Sequence, residues 1–145
     1  MAPCTFEGNN RFSLEHLKQE YPSYGSGDMR FPAFELEQTD GSRVVDFKYQ
    51  KHEIYSGKKK LLGLPAVYVE EETEAETLEV TLEDVQIGAR IVLSYTIFQA
   101  LPVIARNTCF YCDGESITLL NAMSGSIDLP DKEYEMVELA GAWSR

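Results

Sequence analysis

The chain has 145 residues, 43% of them hydrophobic, and a formal net charge of −11. That length fits one domain with a packed core. A surface this acidic repels phosphate backbones and anionic headgroups, which excludes nucleic acid and membrane surfaces as partners. No apolar run approaches bilayer length, and the first seven residues lack the basic region and apolar core of a signal peptide. Three cysteines, odd and sparse, suit a reducing compartment, so a cytoplasmic protein is expected.

Residues 1–11 carry no periodic pattern and read as a loose segment. Ser13 is placed to cap a short helix reaching Glu20, with Leu14, Leu17 and Tyr21 on one side and Pro22 ending it. The stretch from Tyr21 to Asp28 is rich in turn formers. Arg30 to Gln38 reads as a strand with Phe34 and Leu36 inward. Asp40-Gly41 then signals a hairpin, with Val45, Phe47 and Tyr49 marking the returning strand. Ser56-Gly57-Lys58-Lys59-Lys60 breaks the pattern, and Leu61 to Pro65 forms an apolar loop.

The strongest signal lies between Glu76 and Phe98. Leu78, Val80 and Leu82 alternate with Thr77, Glu79, Thr81 and Glu83. Ile91, Leu93, Tyr95 and Ile97 alternate with Arg90, Val92, Ser94 and Thr96. Two antiparallel strands follow, each with a greasy and a mostly polar face, joined through Gln86-Ile87-Gly88. Further strands are expected over Val103 to Cys112, closed by an Asp113-Gly114 turn, over Ile117 to Leu129 with a break at Gly125, and over Tyr134 to Trp143. Strands at this spacing, punctuated by Gly, Pro and Asp-Gly, predict an all-β antiparallel sandwich with one short N-terminal helix. The chain ends directly after an apolar strand, which suggests that the natural chain continues.

Candidate chemistry is sparse. Cys109 and Cys112 have the spacing of half a zinc or redox site, but residues three apart on a strand face opposite sides and a second ligand pair is missing. Glu70, Glu71, Glu72, Glu74 and Glu76 lack the glycine-centred spacing of a calcium loop and read as a solvated strand edge. Lys58 to Lys60 reads as an exposed turn facing that run. His16 and His52 have no neighbouring nucleophile, and no carboxylate pair stands out as an acid and nucleophile. No metal and no cofactor is expected. Trp143 alone is a core filler, an interface anchor or a sugar platform.

Several segments, in order along the chain, resemble the microbial alpha-galactosidases of glycoside hydrolase family 36. They are Glu20 to Arg30, Asp40-Gly41-Ser42, Gly63 to Glu70, Glu74 to Leu78, Ser94 to Phe98, Pro130-Asp131 and Gly141-Ala142-Trp143. The resemblance is to the N-terminal β-domain, a supersandwich-like fold, and assigns residues 12–145 to part of it, without its first strands. It implies that a (β/α)₈ barrel carrying two catalytic aspartates for a retaining mechanism lies outside this chain, so no catalytic residue is assigned here. It also implies that Trp143 lines the galactose pocket. The partners it implies are the catalytic barrel, alpha-galactosides such as melibiose or raffinose, and further copies in a homo-oligomer. A stand-alone carbohydrate-binding module and a purely structural interaction domain are the alternatives.

Overall fold

The computed structural model describes residues 18–25, 30–63, 66–127, 129, 132–135, 137 and 141. Among the described residues six strands make two antiparallel sheets: β1 (Phe34–Glu37), β2 (Lys48–Ser56), β3 (Ala75–Asp84), β4 (Ala89–Phe98), β5 (Ile104–Cys112) and β6 (Thr118–Ala122). Strands β2-β3-β4-β5 form a four-stranded meander, and β1 pairs with β6 in a second sheet. Most of the expected helix, residues 13–17, lies outside the described residues, and Lys18 to Glu20 is not helical. The loose segment expected over residues 1–11 also lies outside them.

The β3–β4 hairpin forms where the alternation places it. Ten consecutive residue pairs run without a bulge from Ala75↔Phe98 to Asp84↔Ala89. Gly88 takes φ 63° in the turn, a backbone conformation that disfavours a side chain. Asp84 is buried and anchors the turn by accepting from the Gln86 N–H at 3.0 Å and the Asp46 N–H at 2.7 Å. Gly114 is needed for a different reason. Its φ is not positive, but a Cβ there would strike the Ile87 carbonyl, because the two turns at this end of the sheet lie back to back.

The hairpin expected at Asp40-Gly41 does not form between neighbouring strands. The turn itself is present: Gly41 has φ 83°, and its N–H donates to the Gln38 carbonyl at 2.9 Å. The chain then crosses from one sheet to the other as irregular backbone. Arg43 reaches back to Glu35 and Glu37, each at 2.8 Å, while Val45 and Phe47 turn into the core. Thus β1 finds its partner in β6, and β2 finds its partner in β3. Strand β6 also ends earlier than the sequence suggests, at Ala122, where the Met123 N–H turns aside to the Ala33 carbonyl. In the last predicted strand, Tyr134, Glu135, Val137 and Gly141 are not in a strand, and most of the remainder lies outside the described residues.

The core lies between the two sheets and centres on Phe34. Its ring stacks on Tyr21 at 5.2 Å between centroids, meets Phe47 edge-on at 5.5 Å and tilts against Phe110 at 5.7 Å. Leu36, Ile91 and Leu93 complete the buried cluster. Such packing requires the inward alternation of both sheets to meet across one layer. Replacing Phe34 by alanine removes the ring that all three neighbours contact. We expect Phe34→Ala to lower unfolding free energy by about 3–5 kcal/mol, read by urea denaturation of the variant beside the parent chain.

Candidate functional site

The polar face of the four-stranded sheet is less wet than its alternation implies. Thr77 and Thr96 are each only 1% exposed, whereas Leu78, Val80 and Leu82 on the opposite face are half-buried. The cause is a roof. After β2 the chain turns at Gly57 (φ 82°) and folds back over the sheet, and the Thr77 hydroxyl donates to the Gly57 carbonyl at 2.6 Å. Thr77 and Thr96 face each other across β3 and β4, with hydroxyl oxygens 2.8 Å apart. Between roof and sheet lies an open groove of about 480 Å³, floored by Thr81, Val92, Ser94 and Asn107.

Ion pairs and aromatic rings mark the groove's ends. At one end the register sets Glu53 directly opposite Glu79, a repulsive cross-strand pair. Lys51 relieves it by donating to Glu53 at 2.7 Å, and Lys59 from the roof donates to Glu79 at 2.6 Å. Tyr55 also donates to Glu79, at 2.8 Å, and the Lys59 ammonium lies 4.7 Å from the Tyr55 ring centre. Burial, then the bond to Glu79, pushes the Tyr55 phenol up. The bond to Glu79 likewise holds Lys59 above the usual lysine range. Both groups therefore titrate still further above pH 7, which keeps Tyr55 a neutral phenol and Lys59 a cation and is the reverse of what acid–base catalysis near pH 7 requires. At the other end Arg90 pairs with Asp113 at 2.8 Å and covers the Tyr111 ring at 5.3 Å. The groove can hold hydroxyl-rich or charged ligands through its polar floor.

A second polar cluster closes the edge of the core. Arg106 on β5 donates to Glu20 at 2.7 Å and to the Ser126 carbonyl at 2.9 Å, and lies 4.8 Å from the Tyr95 ring centre. Tyr95 donates to the same Glu20 oxygen at 2.9 Å. One guanidinium thus ties two separate segments, around Glu20 and Ser126, to the sheet.

The candidate residues read from the sequence fare unevenly once placed in space. Cys109 faces the groove, whereas Cys112 points the other way and donates to the Glu115 carbonyl at 3.0 Å, so the two thiols diverge as strand alternation requires. The acidic run is not a strand edge. Glu72–Glu74 form an exposed 3-10 turn leading into β3, and Lys59 turns to Glu79 instead of facing that run. His52 lies on exposed β2, where its Nδ1 meets the Tyr49 hydroxyl at 2.6 Å. Among the described residues no three His, Cys, Asp or Glu side chains cluster as metal ligands do. No helix among them is long and apolar enough to cross a membrane. His16 and Trp143 lie outside the described residues. The groove residues Tyr55, Glu79 and Lys59 belong to no recognisable motif. Glu79 was legible only as one of the polar set in the β3 alternation, Lys59 only as part of a basic turn, and nothing in the sequence marked Tyr55.

Two antiparallel sheets with a shared aromatic core and a roofed polar groove define the class, an all-β sandwich domain. The chain belongs to the glycosyl hydrolase family 36 N-terminal domain family, whose model matches residues 2–145. It is 48% identical over 145 residues to alpha-galactosidase AgaA of Geobacillus stearothermophilus, covering 99% of this chain and 20% of that enzyme. It is 37% identical over 132 residues to alpha-galactosidase Mel36A of Lactobacillus acidophilus, covering 90% of this chain and 18% of that enzyme. The chain therefore spans about a fifth of the length of these curated relatives. Among solved structures, a variant of AgaA in complex with raffinose superposes with a TM-score of 0.79 at 48% identity, covering 82% of this chain and 17% of that one. The alpha-galactosidase of Lactobacillus brevis gives 0.79 at 35% identity, covering 89% of this chain and 18% of that one.

The Tyr95 phenol is pushed up to about 12 from 10.0, by burial first and the bond to Glu20 second. The folded state therefore holds this proton more tightly than the unfolded chain. The resulting stability is fully present below pH 10 and is lost as pH rises through about 12. Thermal melts at stepped alkaline pH should show this decline, and Tyr95→Phe should make it shallower.

Proposed function

We propose that this chain serves as a non-catalytic N-terminal β-sandwich domain, residues 12–145 forming part of it, of a retaining alpha-galactosidase. The observation that carries the reading is the 48% identity across 99% of this chain to an alpha-galactosidase of which it covers only 20%. In this reading the domain supports a catalytic barrel, assists a cytoplasmic homo-oligomer and contributes Trp143 to the galactose subsite for substrates such as melibiose or raffinose. No metal or cofactor enters, and the paired carboxylates belong to the barrel.

The role of Trp143 rests on its place in Gly141-Ala142-Trp143. Two small residues before the indole let a sugar ring or another backbone approach closely. A platform indole contributes contact area and excluded water to an apolar sugar face.

A second reading, a carbohydrate-binding module acting alone, gains support from the roofed groove with its hydroxyl floor and two tyrosines. Calorimetry of the isolated chain with raffinose separates the two. Heat of binding that disappears in Tyr111→Ala would favour the module.

For the first reading, the purified chain should release no chromophore from a nitrophenyl alpha-galactoside. In an enzyme that carries this domain together with a barrel, Trp143→Ala should raise KM or lower kcat with little change in melting temperature. A large loss of stability with unchanged kinetics would assign the indole to core packing instead, where its removal costs about 3–5 kcal/mol.

A further inference from the structure

Strand β2 is the outer strand of the four-stranded sheet, and no strand among the described residues pairs with its other side. It spans nine residues, eight of them exposed. An edge this long is a template for another strand unless charge, proline or a bulge blocks it. Here there is no proline, and the single bulge sits near one end, between Tyr49 and Lys51. The stretch from Lys51 to Ser56 is left straight.

That stretch is complementary to itself. When two copies run antiparallel with His52 opposite His52, Lys51 of each faces Glu53 of the other. Centring the pair on Glu53 sets glutamate against glutamate, and centring it on Lys51 sets lysine against lysine, both repulsive. A centre between residues pairs opposite faces and would set the polar groove of one copy beside the core side of the other. Of the registers centred on Lys51, His52 and Glu53, only that on His52 sets every opposed charge against its opposite while keeping both faces continuous. Lys51 and Glu53 already share one face, bridged at 2.7 Å, so two copies would form an alternating square of four charges. On the other face the two His52 side chains would meet across the axis, with Ile54, 61% exposed, beside them and facing the bulged stretch between Tyr49 and Lys51 of the second copy. Strand β2 carries two lysines and one glutamate in a chain of net charge −11, so the edges meet without the repulsion of the surface at large.

We infer that the β2 edge is a self-recognition surface through which two copies of this chain join their four-stranded sheets into one continuous sheet, in a register centred on His52. This rests on the homo-oligomer reading above and specifies where the copies meet. The association is symmetric and closed, because the same strand serves both partners.

Sedimentation of the full chain over a wide concentration range tests it. The parent chain should dimerise, and Lys51→Glu and Glu53→Lys should each weaken self-association about tenfold or more. Mixing the two variants should restore a dimer, because each supplies the charge that the other lacks. Glu53→Lys also removes the intrachain repulsion with Glu79, so its loss of association would not stem from a loosened strand. Circular dichroism establishes that both variants are folded. Amide exchange offers a second reading, with β2 protected more strongly at high concentration in the parent alone. A parent that self-associates while both variants match it would overturn the β2 edge and leave the oligomer reading standing. A strictly monomeric parent would overturn both. A mixture that stays monomeric would overturn the register.

Discussion

The packing around Phe34 is the contact on which the two sheets depend. Its backbone belongs to the smaller sheet, where it pairs with Ala122, and its ring reaches Phe110 on the larger one. Local backbone groups reinforce this position: the Ala33 N–H donates to the Pro22 carbonyl at 2.8 Å, and the Tyr24 N–H to the Phe34 carbonyl at 3.2 Å. The Tyr21 ring stacks on Phe34, while its hydroxyl donates to the Met123 carbonyl. Apolar burial and backbone hydrogen bonding therefore converge on one residue, which couples the turn after Pro22, strand β1 and strand β6.

The same meander carries the groove on its other side. Strands β3 and β4 contribute Ile91 and Leu93 to the core and Thr77, Thr81 and Thr96 to the polar face. Because successive side chains alternate, a shift of register by one residue would exchange these sets. The unbroken ten-residue pairing of β3 with β4 thus fixes core and groove together. Gly57 allows the roof to approach, since a Cβ there would come within 3.3 Å of Glu72.

Membership of the family 36 N-terminal domain family gives these features a setting. The relatives are alpha-galactosidases about five times as long as this chain. The roofed groove offers fixed hydroxyls and paired charges, and the β2 edge offers unpaired backbone groups.

The sequence determined the all-β class and the central strands with most of their inward residues, because alternation and turn chemistry act locally. Phe34 and Leu36 were legible as inward, the β3–β4 pair was legible to within a residue or two, and the ordered segments shared with alpha-galactosidases pointed to the family to which the chain belongs. Which strands become neighbours was decided by tertiary structure. Asp40-Gly41 forms its turn, yet the strands beyond it separate: Val45 and Phe47 pack into the core around Phe34, and β1 pairs with β6 instead. The groove was equally hidden. The β2–β3 pairing sets Tyr55 beside Glu79, and the return of the chain after Gly57 brings Lys59 onto the same carboxylate. Alternation tells which side of a strand a residue occupies, whereas a roof over that side is a long-range event that no local pattern encodes.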